Sequence, residues 1–166
     1  IYMCGSYLES IYEAASADIS EILASNVEGK VNILIETGGT NNWVNEAISD
    51  TTNQIFKVDS NKLSLIKNDL GVQNMADPNT LTEFINYSKS NYPADRYGLI
   101  IWNHGYGTLE GFGKDERFNN ANMPVIGLAD ALKASDTFFD FIGFDACFMS
   151  TIEVAYTLKD YTVNSL

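Results

Sequence analysis

Two stretches, "RYGLIIWN" (96–103) and "FFDFIGFD" (138–145), are apolar at almost every position. A strand with one wet face alternates apolar and polar residues, whereas a near-continuous apolar run is covered on both faces, as in a parallel sheet flanked by helices. Both runs fall well short of the roughly 18 residues that span a bilayer. Between and around them the apolar spacing changes to the helical period. Val125, Leu128, Ala129 and Leu132 form one side of a helix over 124–135, and Met149, Ile152, Ala155 and Tyr156 one side of a helix over 149–159.

The rest of the chain extends this alternation. Ile1–Cys4 reads as the end of a buried strand, followed at Ser6–Glu9 by a capping-box pattern and then by Leu8, Ile11, Tyr12, Ala15, Ile19, Ile22 and Leu23 at helical spacing. "VNILIE" (31–36) is a short strand stopped by Thr37-Gly38-Gly39-Thr40, and residues 53–69 form a hairpin turning at Asp59-Ser60-Asn61. Asp77-Pro78 starts a helix with Asp at the N-cap, Pro at its first position and Leu81, Phe84, Ile85 and Ser88 inward. Gly105–Asn122 is glycine-rich and polar and reads as one long loop. The expected fold is therefore α/β: one domain over 1–166 with a mostly parallel central sheet and helices on both faces. Both ends, "IYMC" and "YTVNSL", read as interrupted strands, so the sheet is expected to be incomplete at both ends.

The formal net charge of −12 argues against nucleic acid or an anionic membrane as partner, because phosphate needs Lys and Arg to neutralise it. It suits cationic substrates. The two cysteines, Cys4 and Cys147, make no disulfide framework, and no zinc-type ligand spacing or phosphate loop is present. No metal site is expected. Glu110, Asp115 and Glu116 could contact calcium, but without the alternating oxygen pattern of an EF-hand loop.

The one histidine, His104, stands just past the first apolar run, and Cys147 just past the second. In open α/β sheets the carboxyl ends of the strands are where ligands bind. If the two strands are neighbours, an imidazole and a thiol meet there, which is the equipment of nucleophilic catalysis. The N–H groups of Gly105 and Cys147 then form a candidate oxyanion hole, and a helix following Cys147 would favour its thiolate. Each residue also has a plainer reading. Taken singly, Cys147 reads as a small buried hydrophobe, as Cys4 does, His104 as a hydrogen-bonded histidine, and Asp145 as a helix N-cap.

The segments "YGLIIWNHGYG" and "FDFIGFDACFMSTIEVA", with "IYMCGSYLES", "TGGTNNW" and "NMADPNTLTEFINYSKSNYPADRY", resemble the clostripain family of cysteine peptidases. That family is grouped with caspases, gingipains and legumain. The resemblance covers nearly the whole chain. It implies a caspase-like three-layer sandwich and an endopeptidase that cleaves after Arg or Lys through a Cys-His dyad and a thioester acyl-enzyme. Cys147 would be the nucleophile, His104 the general acid/base, and Asp145 the partner of the basic P1 side chain, a charge-assisted pairing. Self-cleavage is expected in the loop 105–122, at Arg117 or Lys114. The sequence requires no cofactor, although the resemblance allows calcium. The implied partners are protein or peptide substrates with a basic P1 residue, and the remainder of the enzyme's own chain to complete the sheet. The implied location is secreted or at the cell envelope, with no signal peptide in this sequence. The alternatives are a non-catalytic caspase-like binding or scaffold module and, on aromatic content alone, a surface-layer or glycan-binding module.

Overall fold

The structure, a computed structural model, describes residues 1–25 and 31–165. The last residue of the "YTVNSL" run lies outside them. A seven-stranded sheet organises the chain, built from β1 (Tyr2–Cys4), β2 (Leu34–Gly38), β3 (Gln54–Asp59), β4 (Lys62–Lys67), β5 (Gly98–Trp102), β8 (Phe139–Asp145) and β9 (Thr162–Ser165) in the order β4-β3-β2-β1-β5-β8-β9. The pairings β1–β2, β1–β5, β5–β8 and β8–β9 are parallel; β3 and β4 add an antiparallel hairpin at one edge. Alternate residues of each central strand enter different cores. Tyr2, Cys4, Leu34, Ile55, Leu99 and Ile101 pack with helices α3 (Pro78–Asn91), α5 (Val125–Ser135) and α6 (Ile152–Leu158). Met3, Ile35, Phe56 and Trp102 pack on the opposite face with α2 (Ala14–Ala24). This is the caspase-like α/β sandwich. Among the described residues no helix is long and apolar enough to cross a membrane.

Most of the expected elements form where the periodicity places them. Asp77 accepts a hydrogen bond from the Asn79 N–H at 2.9 Å, capping α3 as its Asp-Pro start requires. Four expectations need correction. First, the stretch after β1 is two helices, α1 (Ser6–Ser10) and α2, broken at Glu13, which sits at φ 59°. The capping box does not form. Buried Glu9 turns away from Ser6 and accepts from the Ser16 N–H and hydroxyl and from the Val44 N–H, so tertiary donors outcompete the local one. Second, β2 starts three residues later than "VNILIE" suggests and runs through Thr37 and Gly38, because Met3 and Cys4 of β1 pair with them. Third, 105–122 is no open loop. It holds α4 (Gly107–Glu110) and a two-stranded ribbon, β6 (Phe112–Asp115) with β7 (Ala121–Met123), around a 3-10 turn. Fourth, β8 is not covered on both faces: Phe141 is 37% exposed.

Glu36 is a test of the core. Its carboxyl is 1% exposed, and Oε2 has no hydrogen-bond partner. Burial, offset in part by Asn53, lifts its pKa from the ordinary 4.5 to about 8. Below 4.5 the group is neutral in both folded and unfolded chains. As pH rises toward about 8 only the unfolded chain ionises, so the stability this group contributes is lost across that window. Glu36→Gln should therefore become progressively more stable than wild type between pH 4.5 and 8, by several kcal/mol at the top of the range. Urea melts of both proteins at each end check this; a difference that does not change with pH would contradict it.

Candidate active site

Three adjacent parallel strands, β1, β5 and β8, end at one rim. Trp102 is the register partner of Asp145, and the Asn103 N–H donates to the Asp145 carbonyl at 3.2 Å. Buried Asn103 also donates through Nδ2 to the Cys4 carbonyl and accepts at Oδ1 from the His104 N–H. One amide side chain thus clasps the ends of β1 and β5, and its backbone holds β8. His104 leaves β5 two residues past Trp102, and Cys147 leaves β8 two residues past Asp145. The thiol is free and exposed, while Cys4 is free and buried.

Gly105 is where the two segments touch. A Cβ there would lie 2.0 Å from the Cys147 carbonyl oxygen and 2.7 Å from Met149 Cγ, so only glycine fits. An isolated antiparallel bridge joins Gly105 to Phe112; it uses the His104 carbonyl and the Tyr106 N–H and leaves the Gly105 N–H without a backbone acceptor among the described residues. Gly105→Ala should force the cysteine loop away and cost about 1–3 kcal/mol of stability. A thermal melt checks this; an unchanged melting temperature would mean that the contact is dispensable.

The imidazole has an unusual setting. His104 Nε2 is buried with no hydrogen-bond partner, and among the described residues no carboxylate is bonded to the ring. Tyr7 lies against it at 4.6 Å between centroids and Tyr106 at 6.0 Å. Burial, helped by the positive charge of Lys114, holds its pKa below the ordinary 6.5. The ring is therefore neutral near pH 7 and able to accept a proton. Cys147 does not sit at a helix N-terminus, contrary to expectation. The chain turns through Phe148 at φ 57°, and α6 begins only at Ile152 with Thr151 as N-cap. Thr151 Oγ1 accepts from the Val154 N–H, so Asp145 is not the cap.

Asp145 is solvent-facing at the end of β8, on the Trp102 face of the sheet. Partial burial and then the negative field of Asp18 raise its pKa above 3.8. Asp18, on α2, accepts from Trp102 Nε1 at 2.6 Å. Sequence reasoning singled out neither Asp18 nor Tyr7. Both sit inside apolar helical spacing, where nothing marks them as pointing at the rim. Lys114, on β6, holds its ammonium 5.4 Å from the Tyr106 ring centroid. Arg117 is tied down: Nε donates to the Thr40 carbonyl at 2.8 Å and a terminal nitrogen to the Asp50 carbonyl. Asp115 accepts from the Met75 and Arg117 N–H groups, and Glu116 from Ser10, Thr40 and Asn41. These carboxylates are engaged by protein donors, and no group of three His, Cys, Asp or Glu side chains that could hold a metal gathers among the described residues.

A sequence profile of the clostripain family matches residues 1–165. Clostripain of Hathewaya histolytica is 38% identical over 138 residues, which is 69% of this chain and 26% of that protein. Among solved structures, a secreted C11 cysteine protease from Bacteroides thetaiotaomicron, in complex with an irreversible peptide inhibitor, superposes with a TM-score of 0.75 at 25% identity, over 97% of this chain and 45% of that one. An inactive zymogen C11 protease from Parabacteroides distasonis gives 0.71 at 31% identity, over 97% of this chain and 44% of that one. The chain thus spans less than half the length of these relatives.

Proposed function

Because the chain belongs to the clostripain family of cysteine peptidases, we propose that it carries the nucleophile and base of an endopeptidase cleaving after Arg or Lys. The observation that carries this reading is the contact of Gly105 with the Cys147 main chain, which puts an exposed free thiol and a neutral imidazole at one rim. In the proposed reaction Cys147 Sγ attacks the scissile carbonyl as His104 takes the thiol proton. The Gly105 and Cys147 N–H groups receive the oxyanion. His104 then gives its proton to the leaving amine, and water, deprotonated by the same imidazole, hydrolyses the thioester. Asp145, reinforced by the field of Asp18, receives the basic P1 side chain. The exposure of Cys147 favours this reading over a non-catalytic scaffold, in which an inert thiol would more naturally be buried like Cys4.

Protein or peptide substrates and a secreted or envelope location belong to the same proposal, as does calcium use by residues other than the engaged Asp115 and Glu116. So does completion of the sheet beyond β9 and over Phe141 by further chain of the same enzyme. Self-cleavage at Lys114 or Arg117 supplies the test. Mass spectrometry of the protein expressed from its complete reading frame should find a cut after one of them in wild type and none in Cys147→Ala. Lys114 has fewer bonds to release than Arg117. The same cut in both proteins would defeat the reading.

A further inference from the structure

The proposed dyad lacks a third member. In Ser-His-Asp sites a carboxylate bonded to the imidazole fixes its orientation, and small displacements of a catalytic group can cost about 10²-fold in rate. Among the described residues no carboxylate is bonded to His104, yet the ring is half-buried with two tyrosines near it. Tyr106 is two residues along the same loop and moves with it. Tyr7 comes from a different strand end.

The chain takes unusual trouble to place Tyr7. Ser6, buried and not glycine, adopts φ 50°, a left-handed conformation that persists only where its surroundings enforce it. They do: the Gly5 and Ser6 N–H groups donate to the Gly38 and Gly39 carbonyls, and a Cβ on Gly5 would meet Thr40 Cγ2 at 2.9 Å. The five-residue α1 would be marginal alone but is anchored by Glu9, whose buried carboxylate receives Ser16 and Val44 donors. Tyr12 packs edge-on behind Tyr7 at 6.3 Å between centroids.

We infer that Tyr7 is a positioning residue for His104, its ring packed against the imidazole at a tilt of 36° in place of the hydrogen-bonded carboxylate of a triad. The inference rests on the dyad reading. The contact restrains the ring without using its nitrogens, so Nε2, buried here without a partner among the described residues, stays available to the thiol and, once a small rotation uncovers it, to the leaving amine. The charged or titratable groups that touch or act on the ring are Tyr7, Tyr106 and Lys114, and Tyr106 in turn feels Tyr7, Glu110 and Cys147.

The test uses the enzyme from its complete reading frame with a peptidyl-Arg reporter. Tyr7→Leu, which keeps apolar bulk without a ring, should lower kcat by about 30- to 100-fold with KM within about threefold, while Tyr7→Phe should recover most of the rate. The His104 imidazole, followed by NMR, should titrate closer to about 6.5 in Tyr7→Leu than in wild type, because the leucine shields it less. Wild-type kcat in Tyr7→Leu, a loss confined to KM, or an equal loss in Tyr7→Phe would each overturn the inference. Should Tyr7→Leu fail to fold, the Tyr7→Phe rate and its His104 titration decide, both being expected near wild type. His104→Ala separates the two levels. Full activity there defeats the dyad, whereas an inactive His104→Ala beside a fully active Tyr7→Leu defeats only the positioning role.

Discussion

Cys147→Ala should lose at least about 10³-fold in kcat on a small peptidyl-Arg reporter while melting within about 0.5 kcal/mol of wild type. Both halves of that expectation come from position. The thiol is exposed on a turn past β8, so its removal opens no cavity and leaves no buried group unpaired. What disappears is the covalent route. The rim that remains, with its imidazole and the two N–H groups, can still bind and polarise a carbonyl, so activity should fall toward the residual that such groups sustain. An Arg-chloromethylketone should label wild type at Cys147 and leave the variant unlabelled. Activity retained by the variant would show that the nucleophile lies elsewhere, and Cys4, buried among Asn103, Gly39 and the core, is in no position to replace it.

On the proposed reading, Asp145→Asn should have the second large effect, one on choice of substrate. The substitution keeps shape and removes charge. Turnover of Arg reporters should fall roughly 10²-fold relative to neutral P1 reporters, toward the lower end of what breaking a charge pair costs because Asp145 faces solvent. The raised pKa gives a second readout. A cation is recognised by the ionised carboxylate, so preference for basic P1 is present above the Asp145 pKa and lost as pH falls through it. Since partial burial and Asp18 lift that pKa above 3.8, the preference should fade at a higher pH than an isolated aspartate would give. Asp18→Asn should move the fading point down. Equal turnover of Arg and neutral reporters by wild type would remove Asp145 from the pocket altogether.

The parts of this fold that were legible in the chain are those whose burial is decided locally. "RYGLIIWN" and "FFDFIGFD" are apolar enough to be read as inner strands, although β8 leaves Phe141 exposed, and His104 and Cys147 follow their ends directly. Asp77-Pro78 caps its helix with its own side chain, and the turn at Ser60-Asn61 is marked by Asn61, a residue type that tolerates positive φ. The ribbon in 105–122 was not legible, because two short strands of glycine and polar residues carry no pattern until they pair and pack Phe112 and Met123 into the core. The break at Glu13 was hidden for a related reason. The apolar spacing runs through it, and only donors from Ser16 and Val44, gathered by folding, draw Glu9 inward and divide the helix.

The site divides along the same line. Residue type and strand ends sufficed to nominate His104, Cys147 and Gly105, since a strand carries whatever follows it to its own end of the sheet, whereas Asp145 was nominated by the family resemblance. The roles of neighbours were decided by tertiary structure alone. Strand order sets β1 beside β5 and so brings Tyr7 onto the imidazole; packing of α2 brings Asp18 to Trp102; and the turn at Phe148 separates Cys147 from the helix that the pattern had placed behind it. Local sequence determines which groups arrive at a rim, because backbone periodicity is a short-range property. Which groups they meet there depends on the order and packing of elements distant in the chain, which no local period encodes.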